Sequence, residues 1–331
     1  MGTENKQLPF IHVIRIIAAF AVVMIHTRAL TNYEDSAGYS FMHNCILWCV
    51  PVFFMITGYI FLGVKKNITY KNVWKHISKF LVSLFTLGWF YAILERFFAH
   101  KTISLPMVFG AIGDVFCGNL WDHMWYVYAI IGIYLVLPVF SAFVSTGRNN
   151  LYILTALCGL FNVVLYEISK RGICQIGFNF PFGGYCFYVL TGAVIHSIGE
   201  KGVRKLFLPS VTSLALVIGI LYYMIFGLNL ELVTDYNFLY VAIMSVSVFV
   251  ICVVLCEKIK DGRFLKLVAD ATWGIYLIHP FFIHLFVKLL KVSIAEYNQL
   301  FAFPVASFLV FAISALAVFV LKKTPLVKWL F

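Results

Sequence analysis

Long apolar segments, separated by short charged stretches, run through the whole chain. A helix needs about 20 apolar residues to cross the hydrocarbon core of a bilayer, and a spanning segment must satisfy its own backbone polar groups. The sequence therefore predicts an all-α, polytopic membrane helix bundle, in one domain over residues 1–331. About ten transmembrane helices are expected, at residues 10–30, 42–64, 77–98, 124–144, 150–168, 183–198, 206–228, 237–256, 267–289 and 300–321.

Charge distribution indicates how these spans are oriented. Only 12% of the residues are charged, whereas soluble domains carry about 25%. The formal net charge of +11 could suggest a nucleic-acid partner. Most of the lysines and arginines, however, lie in the loops that an internal N-terminus would place in the cytoplasm, which is the usual bias of membrane proteins. We therefore expect both termini in the cytoplasm, the lipid bilayer as a partner and no nucleic-acid partner.

The first span contains two polar residues among aliphatic neighbours, Arg15 and His26. An arginine at the centre of a membrane helix costs roughly 2.5–3.5 kcal/mol on insertion scales. The two residues are eleven positions apart, which is close to three helical turns, so they lie on nearly one face, roughly 16 Å apart along the axis. This pattern predicts a helix that lines a polar cavity. Two simpler alternatives are a snorkelling Arg15 near the cytoplasmic surface and a His26 that only bonds to a neighbouring helix.

Three further stretches contain polar residues in or beside apolar spans. They are Val50-Pro-Val-Phe-Phe-Met-Ile-Thr-Gly-Tyr59, Asp122-His-Met-Trp-Tyr126 and Thr272-Trp-Gly-Ile-Tyr-Leu-Ile-His-Pro280. Together with the first span, and in this order, they resemble the acyltransferase-3 family of integral-membrane acyltransferases over essentially the whole chain. The length is similar to that of the short, stand-alone members that O-acetylate cell-envelope glycans. The resemblance implies one acyltransferase-3-like domain in a multi-pass protein of the bacterial plasma membrane.

Two positions depart from the family pattern. Thr57 stands where a serine is expected before Gly-Tyr, which keeps the hydroxyl. Where the family often has Arg-x-x-Arg, this chain reads Lys75-His-Ile-Ser-Lys79. Lysine keeps the positive charge but lacks the bidentate fork of arginine. Arg15, Lys75 and Lys79 are the residues expected to bind the phosphates of an acyl-CoA.

The resemblance implies an activity: transfer of an acyl group, most simply acetyl, from cytoplasmic acyl-CoA to a hydroxyl of an envelope glycan or lipid-linked sugar outside. Acetyl-CoA would be a co-substrate, and neither a permanently bound cofactor nor a metal is expected. Such a transfer needs a base for the hydroxyl proton, and histidine suits this role near neutral pH. His26 is the candidate base, Arg15 the electrostatic anchor, and His279 the residue that orients His26 or bonds the substrate.

The stretch at residues 122–126, expected at the outer mouth, and the stretch at residues 272–280 also supply candidate substrate-binding residues. They are Asp122, His123, Trp125, Tyr126 and Tyr276. For the tryptophan and the first tyrosine the alternative is the aromatic belt found at any membrane interface. For His279 it is a hydrogen bond between helices.

Other functions and features remain open from the sequence. Some relatives of this family form the membrane portions of amino-acid racemases, so a transporter for a small molecule such as serine is the main alternative. A non-catalytic export or assembly partner is the third. Residues 99–123 are half apolar with repeated glycines and predict an interfacial or re-entrant helix on the outer side. Cys117 and Cys174 fall in outer loops, where a disulfide between them is conceivable.

Overall fold

The computed structural model describes residues 9–31, 36–65, 67–178, 180–260, 262–324 and 330. All regular secondary structure in these residues is helical, which confirms the all-α prediction. The helices are α1 Pro9–Thr31, α2 Ala37–Val64, α3 Tyr70–His100, α4 Leu105–Cys117, α5 Asp122–Ser145, α6 Arg148–Lys170, α7 Cys186–Ser197, α8 Gly199–Gly227, α9 Leu239–Leu255, α10 Arg263–Leu289 and α11 Gln299–Leu321.

Eight of these helices are long and apolar enough to cross a membrane, which fits the predicted polytopic bundle. The shorter apolar helices in the described residues are α4, α7 and α9. Two of the ten predicted spans, 183–198 and 237–256, therefore correspond to helices of 12 and 17 residues. At about 1.5 Å per residue, α7 covers only about 18 Å of a core about 30 Å thick. Hydropathy did not reveal this, because the residues before α7 are aromatic and apolar without being helical.

Successive long helices are roughly antiparallel, so the helix termini and loops lie at two opposite ends of the bundle. At one end Ile68 N donates to Ser141 Oγ (2.8 Å) and Lys322 Nζ donates to the Asp270 carbonyl (2.8 Å). We call this the basic end, and it includes Lys65, Lys71, Lys75, Lys201, Arg204, Lys205, Lys322 and Lys323. At the opposite, far end, Ile294 N donates to the Leu30 carbonyl (2.8 Å).

Helix α7 is a core helix rather than a peripheral one. It packs closely on α2, where a Cβ added to Gly58 would lie 1.6 Å from the Val189 carbonyl oxygen. In the same contact, a Cβ added to Gly192 would lie 2.0 Å from the Met55 carbonyl oxygen. Glycine at both positions lets two membrane helices approach backbone to backbone. The contact fixes α2 beside the cavity described below.

Helix α4 occupies the stretch predicted as interfacial or re-entrant. Its 13 residues are too few to cross a bilayer, and it is held to α3 by the ion pair between Arg96 and Asp114 (2.6 Å). Leu105, Phe109 and Phe116 are exposed on its outer face. An exposed apolar face on a short helix is typical of an interfacial helix. The thiols of the eight cysteines are free, so Cys117 and Cys174 form no disulfide in this structure.

Candidate active site

Both polar residues of α1 line one cavity of about 360 Å³, whose other lining residues come mainly from α2, α3, α5 and α10. Arg15 turns towards α10, where its Nη2 donates to Thr272 Oγ1 (3.3 Å). The side chain therefore lies inside the protein instead of snorkelling to the membrane surface. Its neighbours on the same helix face, Ala19 and Val22, also line the cavity and lead to His26. Helical periodicity alone produces this polar face.

The part of the cavity nearest the basic end is cationic. Arg15 shares it with Lys65, His76 and Lys79. Just outside, burial lowers the pKa of Lys322, and the nearby Arg15 acts in the same direction while Asp270 opposes both. Several positive groups therefore crowd this end, where a multiply charged anion would relieve their repulsion.

Of the two lysines predicted to bind the acyl donor, the structure brings only one into the cavity. Lys79 lines it, whereas Lys75 is exposed and lies outside. The two are one helical turn apart on α3. Lys75 lies nearer the start of α3, which is at the basic end. Lys65 and His76, which were not among the residues predicted to bind the donor, line the cavity beside Lys79.

Three histidines from separate helices meet further along the cavity. The ring centroid of His26 lies 5.2 Å from that of His279 and 6.2 Å from that of His123. The rings of His123 and His279 are 5.6 Å apart. His26 lines the cavity, while His279, at 0% exposure, lies behind it. The two histidines predicted to cooperate, on α1 and α10, are thus neighbours.

Hydrogen bonds define the arrangement of this cluster. His279 Nδ1 lies 3.0 Å from the Ile275 carbonyl, to which it donates, and this leaves Nε2 as the acceptor nitrogen. His279 Nε2 is buried and has no hydrogen-bond partner among the described residues, and the same holds for His123 Nε2. Tyr276 Oη donates to the His123 carbonyl, which ties α10 to the start of α5. Buried polar atoms are normally paired, so the two nitrogens mark a site whose chemistry needs another group.

The structure separates Asp122 from His123. His123 is 2% exposed and contacts the other two histidines, whereas Asp122 is exposed and lies outside the cavity. Of the two residues, only the histidine therefore lines the cavity. A tight helical turn over Asp122–Met124 begins α5. Such a turn points successive side chains in different directions, which sequence adjacency could not reveal.

Aromatic rings line the part of the cavity beyond His26. Trp125, Tyr126 and Tyr276, all predicted as substrate-binding residues, lie there together with Tyr236. Burial raises the pKa of the Tyr236 phenol well above its ordinary value, so the hydroxyl stays protonated at neutral pH. The motifs missed Tyr236, which lies in the loop before α9. An aromatic residue just before a short apolar segment was the one available signal.

Comparison with known proteins identifies the family. Residues 8–321 match the acyltransferase-3 family, described as an acyltransferase domain. The chain belongs to this family. It is therefore a multi-pass membrane protein with an acyltransferase domain, as the motif resemblance implied.

Two curated relatives are similar over parts of their length, and both are amino-acid racemases of Enterococcus faecalis. One is 35% identical over 132 residues, which is 38% of this chain and 18% of the relative. The other is 29% identical over 188 residues, which is 54% of this chain and 25% of the relative. The chain thus matches a quarter or less of each relative. No solved structure matches it.

Proposed function

We propose that this family member is an O-acetyltransferase of the bacterial plasma membrane. It moves an acetyl group from cytoplasmic acetyl-CoA to a hydroxyl of an envelope glycan or lipid-linked sugar on the outer side. The observation that carries the proposal is that Arg15 and His26 line one cavity, the first among cations and the second among aromatic rings. A cationic group suits a donor with phosphates, and an aromatic group suits a largely uncharged acceptor.

The donor enters from the basic end in this proposal, because loops rich in lysine and arginine face the cytoplasm. Lys65 and Lys79 bind phosphate oxygens of coenzyme A as point charges, and the guanidinium of Arg15 offers a planar fork of donors to the same phosphates. The roughly 16 Å between Arg15 and His26 is a length that an extended pantetheine arm can cover. The thioester carbonyl then lies beside His26.

The transfer step uses His26 as base and then as acid. Its unprotonated ring nitrogen accepts the proton of the acceptor hydroxyl while the hydroxyl oxygen bonds to the acetyl carbonyl carbon. The C–S bond of acetyl-CoA breaks next, and the protonated His26 returns its proton to the leaving sulfur. The products are an acetyl ester and free coenzyme A thiol. His279, whose ring centroid is 5.2 Å from that of His26, holds His26 in position during the proton transfers.

Incorporation of radiolabelled acetyl groups tests the proposal. Membranes that contain the protein and its native envelope are incubated with [acetyl-¹⁴C]acetyl-CoA, and the washed glycan and lipid fractions are counted. We expect alkali-labile label that depends on the protein and is lost in His26→Gln. Label that does not depend on the protein, or that resists alkali, would contradict O-acetyl transfer.

A serine transporter receives no support from the comparisons. The names of the two partial relatives describe racemisation and not transport. Uptake of labelled serine into vesicles from the same membranes distinguishes the two functions. Protein-dependent uptake without acetyl transfer would favour the transporter.

A further inference from the structure

Three aromatic side chains from distant parts of the chain meet at the far side of the cavity. The Trp125 ring centroid lies 5.4 Å from that of Tyr185, with the planes tilted by 38°. It lies 5.4 Å from that of Tyr236, with a tilt of 31°. We call these three residues the aromatic platform. Tyr185 precedes α7 and Tyr236 precedes α9, so two loops close around one residue of α5.

The platform is held in place from behind. Tyr185 stacks on Phe54 of α2, with ring centroids 4.6 Å apart and planes 4° from parallel. The carbonyl of Tyr236 accepts a hydrogen bond from Tyr188 Oη. The preceding carboxylate, Asp235, accepts from Tyr166 Oη (2.6 Å). Rings fixed in this way lose little conformational entropy when a ligand binds, which favours a binding role.

Two of the three platform rings face the cavity rather than lipid. Trp125 and Tyr236 line the same cavity as His26, whereas residues of an aromatic belt project towards the headgroups. Sugar rings present one face of C–H bonds, which packs on the negative face of an aromatic ring, while their hydroxyls bond to phenols. The platform therefore offers both interactions that a pyranose uses.

The distribution of charged side chains in the cavity limits which class of ligand can bind at the platform. Among the described residues that line the cavity, the lysines and arginine are Arg15, Lys65 and Lys79, all in the cationic part. Around the platform the described lining residues carry histidine and tyrosine groups but neither lysine, arginine nor carboxylate. A carboxylate or phosphate bound there would lose water without gaining a counter-charge, which is costly. Asp235, next to Tyr236, would also repel it.

We infer that the acceptor unit bound beside His26 is an uncharged sugar, a neutral hexose or N-acetylhexosamine, stacked on Trp125 and Tyr236. This inference rests on the proposed acetyl transfer and specifies its acceptor. It excludes uronic acids, sialic acids, phosphorylated sugars and free amino acids as the acetylated unit.

Identification of the acetylated residue tests the acceptor class. Membranes with their native envelope are incubated with [²H₃]acetyl-CoA, the glycans are released enzymatically, and fragmentation mass spectrometry locates the label. We expect the label on a hydroxyl of a neutral sugar. Label on an acidic sugar or an amino acid would overturn the inference while leaving acetyl transfer intact. If no labelled acetyl reached any acceptor, the proposed function would itself fail, and the inference with it.

Variants test the platform separately. We expect Tyr236→Leu and Trp125→Leu to raise the acceptor KM about tenfold, which is the scale of one lost stacking contact. The acetyl-CoA KM should stay unchanged. Tyr236→Phe and Trp125→Phe keep a ring and should retain most of the acceptor affinity. Tyr297→Leu is the matched control, because Tyr297 is an exposed tyrosine in another far-end loop. An unchanged acceptor KM in both leucine variants of the platform, or an equal rise in the control, would overturn its role.

Discussion

His279 lies directly behind His26, with their ring centroids 5.2 Å apart. The two residues come from α10 and α1, which pack against each other. The bond from His279 Nδ1 to the Ile275 carbonyl (3.0 Å) fixes the ring and its tautomer. His26 borders the cavity while His279 does not, so the pair resembles a base and the residue that positions it.

His26→Gln separates catalysis from packing. Glutamine keeps the approximate size and hydrogen-bonding capacity but cannot accept a proton near neutral pH. We expect acetyl transfer to fall about 10²–10⁴-fold, the usual contribution of a general base. Expression and acetyl-CoA binding should stay close to wild type. Transfer at the wild-type rate per folded molecule would remove His26 from the mechanism.

His279→Asn tests the positioning role. The asparagine amide can still donate to the Ile275 carbonyl, but it supplies no counterpart of Nε2. We expect a folded protein with a lower kcat and unchanged KM values for donor and acceptor. Because His279 acts through His26, the double variant His26→Gln/His279→Asn should be no slower than His26→Gln alone. Losses that multiply in the double variant would mean that the two act independently.

Lys79→Ala and Lys75→Ala form a matched pair in the donor site. Lys79 lines the cavity and Lys75, one turn away, is exposed. A charge-assisted hydrogen bond is worth about 1.5–3 kcal/mol, so we expect the acetyl-CoA KM of Lys79→Ala to rise by about 10–100-fold. Lys75→Ala should change it less than about twofold, as is usual for an exposed charge. Steady-state kinetics at saturating acceptor measures both. Equal effects would mean that the donor phosphates bind outside the cavity.

Local geometry explains what the sequence could predict. Arg15 and His26 fall on one face because helix periodicity is fixed by the backbone, and both line the cavity. The motif at residues 272–280 placed Tyr276 and His279 close together on α10, which packs on α1. The membrane spans could be recognised in the sequence because a helix that crosses the hydrocarbon core needs about 20 apolar residues.

Contacts between distant segments explain what the sequence could not predict. Tyr185 and Tyr236 lie in loops whose position depends on α7 and α9, and no periodic pattern links them to Trp125. The direction of His123 depends on one tight turn at the start of α5. The number of full spans was uncertain for the same reason, because α7 is buried by packing on α2 and not by lipid.

Two native cysteines report the orientation of the bundle. Cys117 and Cys174 are exposed, whereas the other six thiols are buried or half-buried. Cys117 ends α4 and Cys174 follows α6, so both lie at the far end. With both termini in the cytoplasm, a membrane-impermeant maleimide should label them in intact cells. Labelling should vanish in the double variant Cys117→Ser/Cys174→Ser. Labelling that required permeabilised cells would reverse the predicted topology.

Gly192→Ala tests the close contact that supports the site. A Cβ at this position would lie 2.0 Å from the Met55 carbonyl oxygen, so α7 must move away from α2. Overpacking of this kind typically costs about 1–3 kcal/mol, and backbone atoms on the other side leave no side chain that can yield. We expect the variant to have a lower melting temperature in detergent than the wild type. Size-exclusion chromatography with fluorescence detection after heating measures this temperature.

Gly219→Ala is the matched control for this contact. Gly219 lies inside α8, and nothing is within 4 Å of a Cβ added there. Alanine at an unstrained helical position typically stabilises by about 0.4–1 kcal/mol, because it restricts the unfolded chain. The control should therefore melt at or above the wild-type temperature. Equal melting temperatures for the two variants would show that α7 can shift freely on α2. A displaced α7 would also move Tyr185, so the remaining folded Gly192→Ala protein should have a raised acceptor KM and an unchanged acetyl-CoA KM.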